Sequence, residues 1–366
     1  MDRVEALRQK AFEMEGFDGF LITSEFNLYY FAGCPGLTAM LISKTGRGII
    51  FAYNVNFEQA KAMTKGFELQ MLERGQNLME SVAKEAKACK IRKLAFDTLD
   101  VESYKQLAKK LRGQAKLKSK GEIVGELRRV KNERELQLMR KAAELTNIGM
   151  KTAYETIKPG MKEYQVAAEI EYSMRRKGSW GVAFETIIAS GARSAFPHGG
   201  GGTLLAGGCT DREIRNGELV VVDMGAIFQH YRSDITRTIV AGKPSQAKQK
   251  KLYDIVKASH DEALKTIKPG AKTKNVDSAA RKVIADAGYG EHFVHGLGHG
   301  VGLEIHEGPT LSSLSKDKLS IGNVVTDEPG IYLTGYGGVR IEDTVLVQKG
   351  KAECLTSAQY NLEADS

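Results

Sequence analysis

The segment HGLGHGVGLEIH, residues 295–306, places three of the chain's seven histidines within twelve positions. His295, His299 and His306 could form a reactive or metal-binding cluster, or they could be ordinary residues of a glycine-rich strand. Imidazole is the commonest metal ligand in proteins. A lone histidine is nevertheless more often a hydrogen-bonded structural residue, so the choice depends on whether other segments supply carboxylates that meet these rings.

Four carboxylates fall inside or at the end of apolar runs that are typical of strands. Asp223 lies in VVVDMG, Asp234 in RSDITRT, Glu328 just before Pro-Gly in DEPG, and Glu342 in VRIEDT. A charged carboxylate is costly to bury alone, and two adjacent carboxylates raise each other's pKa. A shared cation removes both problems. Four carboxylates and one imidazole suit a pair of divalent ions, and such ligands favour Mn²⁺, Co²⁺ or Zn²⁺ over a thiolate-selected metal.

The segments that carry these side chains read as antiparallel strand pairs. GELVVVDMGAIF can pair with SDITRTIVAG, and NVVTDEPGIYL can pair with GVRIEDTVLVQ. The first pairing would bring Asp223 and Asp234 side by side. One aspartate in a strand is more often structural than a ligand, but the whole set of acidic residues with a histidine is much harder to explain by coincidence.

The region from 123 onwards contains an internal repeat. TIKPGMKEYQVAAEIEYSMRRKG begins at Thr156, and TIKPGAKTKNVDSAARKVIADAG begins at Thr266. Each copy predicts a helix that stops before Pro-Gly, followed by a second helix that Gly178 or Gly288 ends. The copies are too far apart for a solenoid, so they predict a domain built from two similar halves. Upstream, Asn132 and Glu135 form a capping signature for a long helix.

Residues 1–122 predict a separate small α/β domain, and residues 123–366 predict the domain that carries the site. The N-terminal region opens with an amphipathic helix and a strand in GFDGFLITS. AMLISKTGRGIIFAY then predicts a hairpin that turns at Thr45-Gly46, KLAFDT a further strand, and VESYKQLAKKLRG a helix. This region concentrates no reactive side chains.

Composition excludes some classes of protein and leaves one alternative open. The chain has 366 residues, is 42% hydrophobic and has a net charge of +8. The basic residues alternate with acidic ones, so a solvated surface is favoured over nucleic-acid binding, although the run at 109–122 leaves that alternative open. The four cysteines are scattered and predict no disulfide framework. Without an apolar run long enough for a membrane helix or a signal peptide, the expected location is the cytoplasm.

Taken together, these motifs resemble the proline-specific peptidases of the creatinase/methionine-aminopeptidase superfamily. The similarity covers nearly the whole chain and is strongest from FETIIASGARSAFPHG to GGVRIEDTVLV, with NLYYFAG in the N-terminal region also similar. The resemblance implies a creatinase-like N-terminal α/β domain and a C-terminal α+β domain of the pita-bread fold. That domain would have internal pseudo-two-fold symmetry and an antiparallel sheet. The N-terminal domain argues against methionine aminopeptidase.

The resemblance also implies which residues hold the ions. Asp223 would bind one metal, Asp234 and Glu342 would bridge both, and His299 and Glu328 would complete the other. The two divalent ions implied are Mn²⁺ first, with Co²⁺ or Zn²⁺ as alternatives.

Further residues of the same motifs are implied to act on the substrate. His198 in FPHG would steady the substrate and the developing tetrahedral centre, His295 and His306 would lie near the substrate, and Arg340 would support the bridging carboxylates. A metal-activated hydroxide would attack the carbonyl before proline, with Glu328 passing a proton to the proline nitrogen.

The implied activity is that of an Xaa-Pro dipeptidase (prolidase), with Xaa-Pro aminopeptidase activity on longer peptides as the alternative. An inactive peptide-binding relative and a creatine-type hydrolase are further alternatives. A homodimer is implied by resemblance alone, and no nucleic-acid or membrane partner is expected. Two features depart from the family pattern, namely the GGGGT run at 199–203 and Asp327 beside Glu328.

Overall fold

The computed structural model describes residues 2–200, 208–243 and 245–364. The chain divides into two compact units, Met1–Arg128 and Arg129–Ser366, a few residues beyond the boundary that we predict at 122. Among the described residues, no helix combines the length and the apolar character that crossing a bilayer requires.

The N-terminal unit is built on a mixed sheet. Its helices are α1 (Arg3–Arg8, continued by a π-helical turn over Gln9–Met14), α2 (Glu25–Ala32), α3 (Asn54–Met63), α4 (Leu78–Ala88), α5 (Val101–Lys110) and α6 (Gly121–Arg129). Its strands are β1 (Gly19–Ile22), β2 (Ala39–Ser43), β3 (Ile49–Tyr53), β4 (Glu68–Leu72), β5 (Lys93–Phe96) and β6 (Lys116–Ser119), in the order β4-β3-β2-β1-β5-β6.

The local predictions for this unit are confirmed. β2 and β3 are antiparallel and are joined through the Thr45-Gly46 turn, where Gly46 has a φ of 89°. β1 and β5 form where the alternating apolar runs predict strands, and they pair in parallel. Strand residues such as Leu21, Leu41 and Leu94 pack with the α4 residue Val82 in one apolar core.

The C-terminal unit combines helices with an antiparallel sheet. Its helices are α7 (Glu133–Thr156), α8 (Glu163–Arg176), α9 (Ala247–Thr266) and α10 (Thr273–Asp286). Its strands are β7 (Gly181–Val182), β8 (Ile187–Ser190), β9 (Leu219–Met224), β10 (Ala226–Phe228), β11 (Tyr231–Arg232), β12 (Ile235–Val240), β13 (Gly298–Gly300), β14 (Glu307–Leu311), β15 (Val324–Asp327), β16 (Gly330–Leu333), β17 (Gly337–Arg340), β18 (Glu342–Leu346) and β19 (Glu353–Cys354). The main sheet has the order β14-β13-β15-β18-β12-β9-β8, and all of its neighbours pair antiparallel.

The internal repeat corresponds to two helix pairs. α7 ends at Thr156 and α9 at Thr266, each just before the Pro-Gly that cannot continue a helix. α8 and α10 then have the same length of 14 residues. The α7–α8 pair packs on an apolar cluster with β9 and β12, and the α9–α10 pair packs on a second cluster with β15 and β18. The predicted mixed fold with an antiparallel sheet is therefore confirmed.

The capping signature before α7 is present in full. The side chain of Asn132 accepts a hydrogen bond from the Glu135 backbone N–H at 3.0 Å, and the Glu135 carboxylate accepts one from the Asn132 N–H at 2.8 Å. Two of the helix's unpaired N–H groups are thereby satisfied, which is why a helix of 24 residues starts sharply at Glu133.

Candidate metal centre in the C-terminal unit

A cavity of about 370 Å³ opens on one face of the main sheet of the C-terminal unit. Its wall includes every residue that we predict from sequence to act in the site, namely His198, Asp223, Asp234, His295, His299, His306, Glu328, Arg340 and Glu342. The remaining lining is largely apolar or neutral and includes Phe184, Ile187, Pro197, Ile305, Thr310 and Ser312.

Strand register brings the carboxylates into one row. Asp223 of β9 is the Cα partner of Thr236 on β12, and Thr236 is in turn the partner of Glu342 on β18. Glu328 directly follows β15, which pairs with β18. Asp234 lies two residues before Thr236, and because side chains alternate along a strand it faces the same side. Acidic groups that are far apart in sequence therefore meet on one face.

His299 reaches this face because its strand approaches β15 closely. A Cβ atom on Gly298 would lie 2.2 Å from the carbonyl oxygen of Thr326, so only glycine allows the approach. The Thr326 hydroxyl accepts a hydrogen bond from the His299 backbone N–H at 3.0 Å and donates one to Glu328 Oε1 at 3.2 Å. A single threonine thus orients two candidate ligands.

The His299 ring presents a free nitrogen to the carboxylates. Its Nδ1 lies 3.0 Å from the carbonyl oxygen of Gly300, and since a carbonyl can only accept, Nδ1 donates and Nε2 keeps its lone pair. Nε2 lies 3.4 Å from Glu328 Oε1 and 3.7 Å from Asp234 Oδ2. Ligand atoms of Asp234, His299 and Glu342 all lie within 4.8 Å of one another, a spacing that could hold a metal ion.

Arg340 connects the row to the cavity wall. Its Nη2 donates to Asp223 Oδ2 at 2.6 Å, and its Nε donates to the Thr236 hydroxyl at 3.1 Å. Its Nη1 donates to the Tyr332 hydroxyl at 2.9 Å and to the carbonyl of Pro197 at 3.0 Å. One buried guanidinium therefore orients a carboxylate, a strand and the loop next to His198.

The acidic row carries more negative charge than Arg340 offsets. Burial and the repulsion of Asp223 and Glu328 raise the pKa of Asp234 well above its usual value. Burial and the repulsion of Asp234 do the same to the pKa of Glu342. Burial raises the pKa of Glu328 to about 8, although the attraction of Arg340 opposes this. Mutual repulsion of this kind marks a place that favours a cation.

Unpaired oxygen atoms support the same conclusion. Asp223 Oδ1 and Asp234 Oδ1 are buried and accept no hydrogen bond from the described residues. A buried acceptor without a partner is costly. Both aspartates line the same cavity as the His299 imidazole and further carboxylates, and this donor set fits hard or borderline divalent ions and not a thiolate-selected metal.

The His295 ring is held on both sides. Its Nδ1 donates to the Gly296 carbonyl at 2.7 Å, and its Nε2 accepts from the Tyr332 hydroxyl at 2.8 Å. Burial and the nearby Arg340 lower its pKa to about 4, so the ring is neutral. His295 therefore forms a fixed part of the cavity wall.

His306 and His198 are the more exposed rings of the cavity. His306 stands edge-on to His299, with ring centroids 4.3 Å apart, and burial lowers its pKa. His198 follows Pro197, which Arg340 holds, and precedes Gly199, whose carbonyl accepts a hydrogen bond from Arg193 Nη2 at 2.5 Å. Both neighbours of His198 are thus anchored while its side chain stays accessible.

The sequence analysis does not predict three further side chains of the site. Thr236 donates to Glu342 Oε2 at 2.7 Å, and Thr326 and Tyr332 contact the site as described above. The spacing contains a signal, because Thr236 follows Asp234 by two residues and Thr326 precedes Glu328 by two. Period-two alternation places each pair on one face of a strand. Of the departing GGGGT run, positions 201–203 lie outside the described residues.

Comparison with known proteins agrees with this geometry. The model of metallopeptidase family M24 matches residues 137–349, and that of the creatinase/prolidase N-terminal domain matches residues 3–130. The Xaa-Pro dipeptidase of Pyrococcus horikoshii is 39% identical over 351 residues, which cover 96% of this chain and 95% of that protein.

Solved structures are similar over the same extent. The crystal structure of the prolidase from P. horikoshii has a TM-score of 0.90 at 37% identity, covering 99% of this chain and 100% of that one. The X-Pro aminopeptidase from Thermotoga maritima has a TM-score of 0.84 at 34% identity, covering 96% of this chain and 99% of that one. The chain therefore belongs to metallopeptidase family M24 and is a hydrolase of that family, with a creatinase/prolidase N-terminal domain.

Proposed function

We propose that this protein is an Xaa-Pro dipeptidase that works with two divalent metal ions, manganese in the first place. The main support is that Asp223, Glu342 and Glu328 lie in one acidic row. Asp234 and the free ring nitrogen of His299 lie next to this row. The dipeptidase activity is proposed because relatives named for it align over nearly the whole chain.

In this proposal Asp223, Asp234, His299, Glu328 and Glu342 would together hold the two ions. When bound, the ions would polarise the substrate carbonyl and lower the pKa of water at the site. The unpaired oxygens of Asp223 and Asp234 are free for this role.

A side chain of the protein would transfer the proton from the attacking water to the leaving proline nitrogen. Glu328 lines the cavity and accepts a hydrogen bond from the Thr326 hydroxyl through Oε1. It is therefore suited to take a proton from the attacking water and deliver it to the proline nitrogen. That nitrogen carries no hydrogen in the substrate, so bond cleavage requires a donor.

Accessible histidines would stabilise charge on the substrate. His198 and His306 line the cavity and could donate to the oxygen of the tetrahedral centre. His295 and Tyr332 form a fixed wall, and Arg340 holds the Asp223 carboxylate and the carbonyl of Pro197 next to His198. The substrate carbonyl would lie between these donors and the acidic row.

The test compares peptides on metal-reconstituted protein. Ala-Pro should be hydrolysed, while Ala-Ala should be cleaved poorly because only the former presents a proline ring. Ala-Pro-Ala tests the alternative, aminopeptidase activity, which the similarity to the T. maritima X-Pro aminopeptidase supports. A dipeptidase should cleave Ala-Pro but not Ala-Pro-Ala, whereas an aminopeptidase should cleave Ala-Pro-Ala. Failure to release proline from Ala-Pro with Mn²⁺, Co²⁺ or Zn²⁺ would contradict the proposal.

A variant connects the activity to the site. Asp234→Ala should lose bound metal and most Ala-Pro hydrolysis, because Asp234 would supply a carboxylate to the metal centre. Metal content by elemental analysis checks this, and Asp286→Ala serves as the control because Asp286 is an exposed helix residue paired with Lys282. Wild-type metal content and activity in Asp234→Ala would end the two-ion assignment.

We further propose a homodimer, which the family resemblance implies, and a location in the cytoplasm. Sedimentation velocity on the full chain tests the first part. A single species at the mass of one 40.1 kDa chain would contradict it.

A further inference from the structure

A buried group of charged residues lies behind the cavity face of the main sheet. Asp327 and Asp343 are Cα partners on β15 and β18, and each is adjacent in sequence to the cavity carboxylate Glu328 or Glu342. Because neighbouring side chains along a strand alternate, the two aspartates face away from the cavity. His260 of α9 meets them there, with Nε2 3.1 Å from Asp343 Oδ2 and 3.8 Å from Asp327 Oδ2.

The two aspartates of this group differ in the partners that they have. The partners of Asp343 are Arg237 Nη2 at 3.0 Å, Thr356 Oγ1 at 2.7 Å and the Tyr360 hydroxyl at 2.6 Å. Asp327 differs, because neither of its oxygens accepts a hydrogen bond from the described residues. Arg237 offsets one carboxylate, and His260 is placed to offset the other.

The remaining surroundings of His260 are consistent with a charged ring. Its Nδ1 lies 3.7 Å from Asp261 Oδ1, and Asp261 is itself paired with Lys257 at 2.6 Å. Burial lowers the pKa of His260, but the attraction of Asp327, together with Asp261 and Asp343, outweighs it and raises the pKa to about 10. The His260 ring thus lies within ion-pair distance of Asp343 and Asp327 on the sheet side and of Asp261 on its other side.

We propose that His260 is a positioning residue that pairs with Asp327 and, through the two strands it contacts, sets the affinity of the site for divalent metal. If His260 were uncharged, Asp327 and Asp343 would face each other on neighbouring strands, and Arg237, which contacts Asp343, would be the counterion for both. Breaking a buried ion pair from one side leaves an uncompensated charge. The strands would separate to relieve the repulsion, and they carry or directly precede Glu328 and Glu342. The inference rests on the proposed function.

The test is a double-variant cycle read by metal binding. Metal-stripped full-length protein is titrated with Mn²⁺ by isothermal titration calorimetry for the unaltered chain, His260→Gln, Asp327→Asn and the double variant. His260→Gln should weaken Mn²⁺ binding by about 10–100-fold, as changes behind metal ligands commonly do. The same histidine change in the Asp327→Asn background should cost no more than about twofold, because the unpaired charge is gone.

A matched control distinguishes charge pairing from general damage to α9. Ser259 is equally buried on that helix, but its hydroxyl donates to the Ala280 carbonyl on α10 and not towards the sheet. Ser259→Ala should leave Mn²⁺ affinity unchanged. A loss there as large as that of His260→Gln would overturn the proposal in favour of helix packing.

Other outcomes are equally decisive. Equal losses from His260→Gln in both backgrounds, or wild-type affinity in His260→Gln, would overturn the inference. If His260→Gln does not fold, recovery of a folded double variant supports the pairing, and an unfolded double beside a folded Asp327→Asn refutes it. Absence of Mn²⁺ binding by the unaltered chain would instead defeat the proposed metal centre, while unaltered binding with insensitive variants defeats this inference alone.

Discussion

Side-chain hydrogen bonds around the acidic row decide which atoms remain free for an ion. Arg340 occupies Asp223 Oδ2, Thr236 occupies Glu342 Oε2, and Thr326 contacts Glu328 Oε1. The identity of the acidic residues could be predicted because a carboxylate inside an apolar strand needs compensation. The neutral partners could not, because a threonine in a strand carries no such penalty and its contacts depend on which strand lies next to it.

Arg340→Lys should reduce kcat/KM for Ala-Pro by about 10–100-fold. Lysine keeps the charge but lacks the planar set of donors that reaches Asp223, Thr236, Tyr332 and Pro197 together. Steady-state kinetics on metal-loaded protein measures the effect. Arg140→Lys, at a partly exposed arginine paired with Glu353, is the control and should behave as the unaltered chain does. Equal kinetics for both variants would show that charge alone suffices at position 340.

At the scale of elements, the local patterns and the long-range pairings differ in how well they could be predicted. The Pro-Gly helix stops, the capping box before α7 and the β15–β18 pairing follow from residues close in sequence or from strong alternation. The placement of β18 beside β12 does not, since it joins segments about a hundred residues apart and no local signal specifies the partner. β13 forms within the glycine-rich segment 295–306, but no local signal indicates that Gly298 brings it into close backbone contact with Thr326.

Gly298→Ala should destabilise the fold by about 1–3 kcal/mol and weaken metal binding, because its methyl group would lie 2.2 Å from the Thr326 carbonyl oxygen. The strands must shift, and the shift disturbs the threonine that orients His299 and Glu328. Chemical denaturation and Mn²⁺ calorimetry measure the two effects.

The chain offers a matched control for that change. Gly125 lies inside α6, and nothing stands within 4 Å of a Cβ atom placed there. Gly125→Ala should therefore be neutral or stabilise by up to about 1 kcal/mol, since alanine is the better helix former. Similar losses in both alanine variants would contradict the close-approach argument.

For the whole molecule, the acidic row couples stability to pH and to metal. Glu328 has a pKa of about 8 in the folded state against an ordinary value of 4.5. Between these values the folded state keeps a proton that the unfolded state has released, so the free energy of unfolding falls as pH rises. Asp234 and Glu342 shift in the same direction.

Metal-free protein should therefore show a Tm that decreases from about pH 5 to about pH 8. Over this range the free energy of unfolding should fall by up to about 1.4 kcal/mol per pH unit for each proton involved. Scanning calorimetry after chelation measures it. Saturating Mn²⁺ should raise the Tm and flatten this dependence, because the ion replaces the proton. Glu328→Gln should remove only the Glu328 part of the metal-free pH dependence, since Asp234 and Glu342 keep theirs, and a Tm that increases over this range would contradict the coupling.

The strands that pack against the two helix pairs of the C-terminal unit supply different candidate ligands. Asp223 and Asp234 belong to the strands that accompany α7 and α8, while His299, Glu328 and Glu342 come from the chain after α9 and α10. Neither half of the domain alone supplies all five candidate ligands. A divalent ion bound there would connect the strands of the two halves of the domain. Separation of the two halves would therefore abolish the metal site and the substrate-binding cavity together.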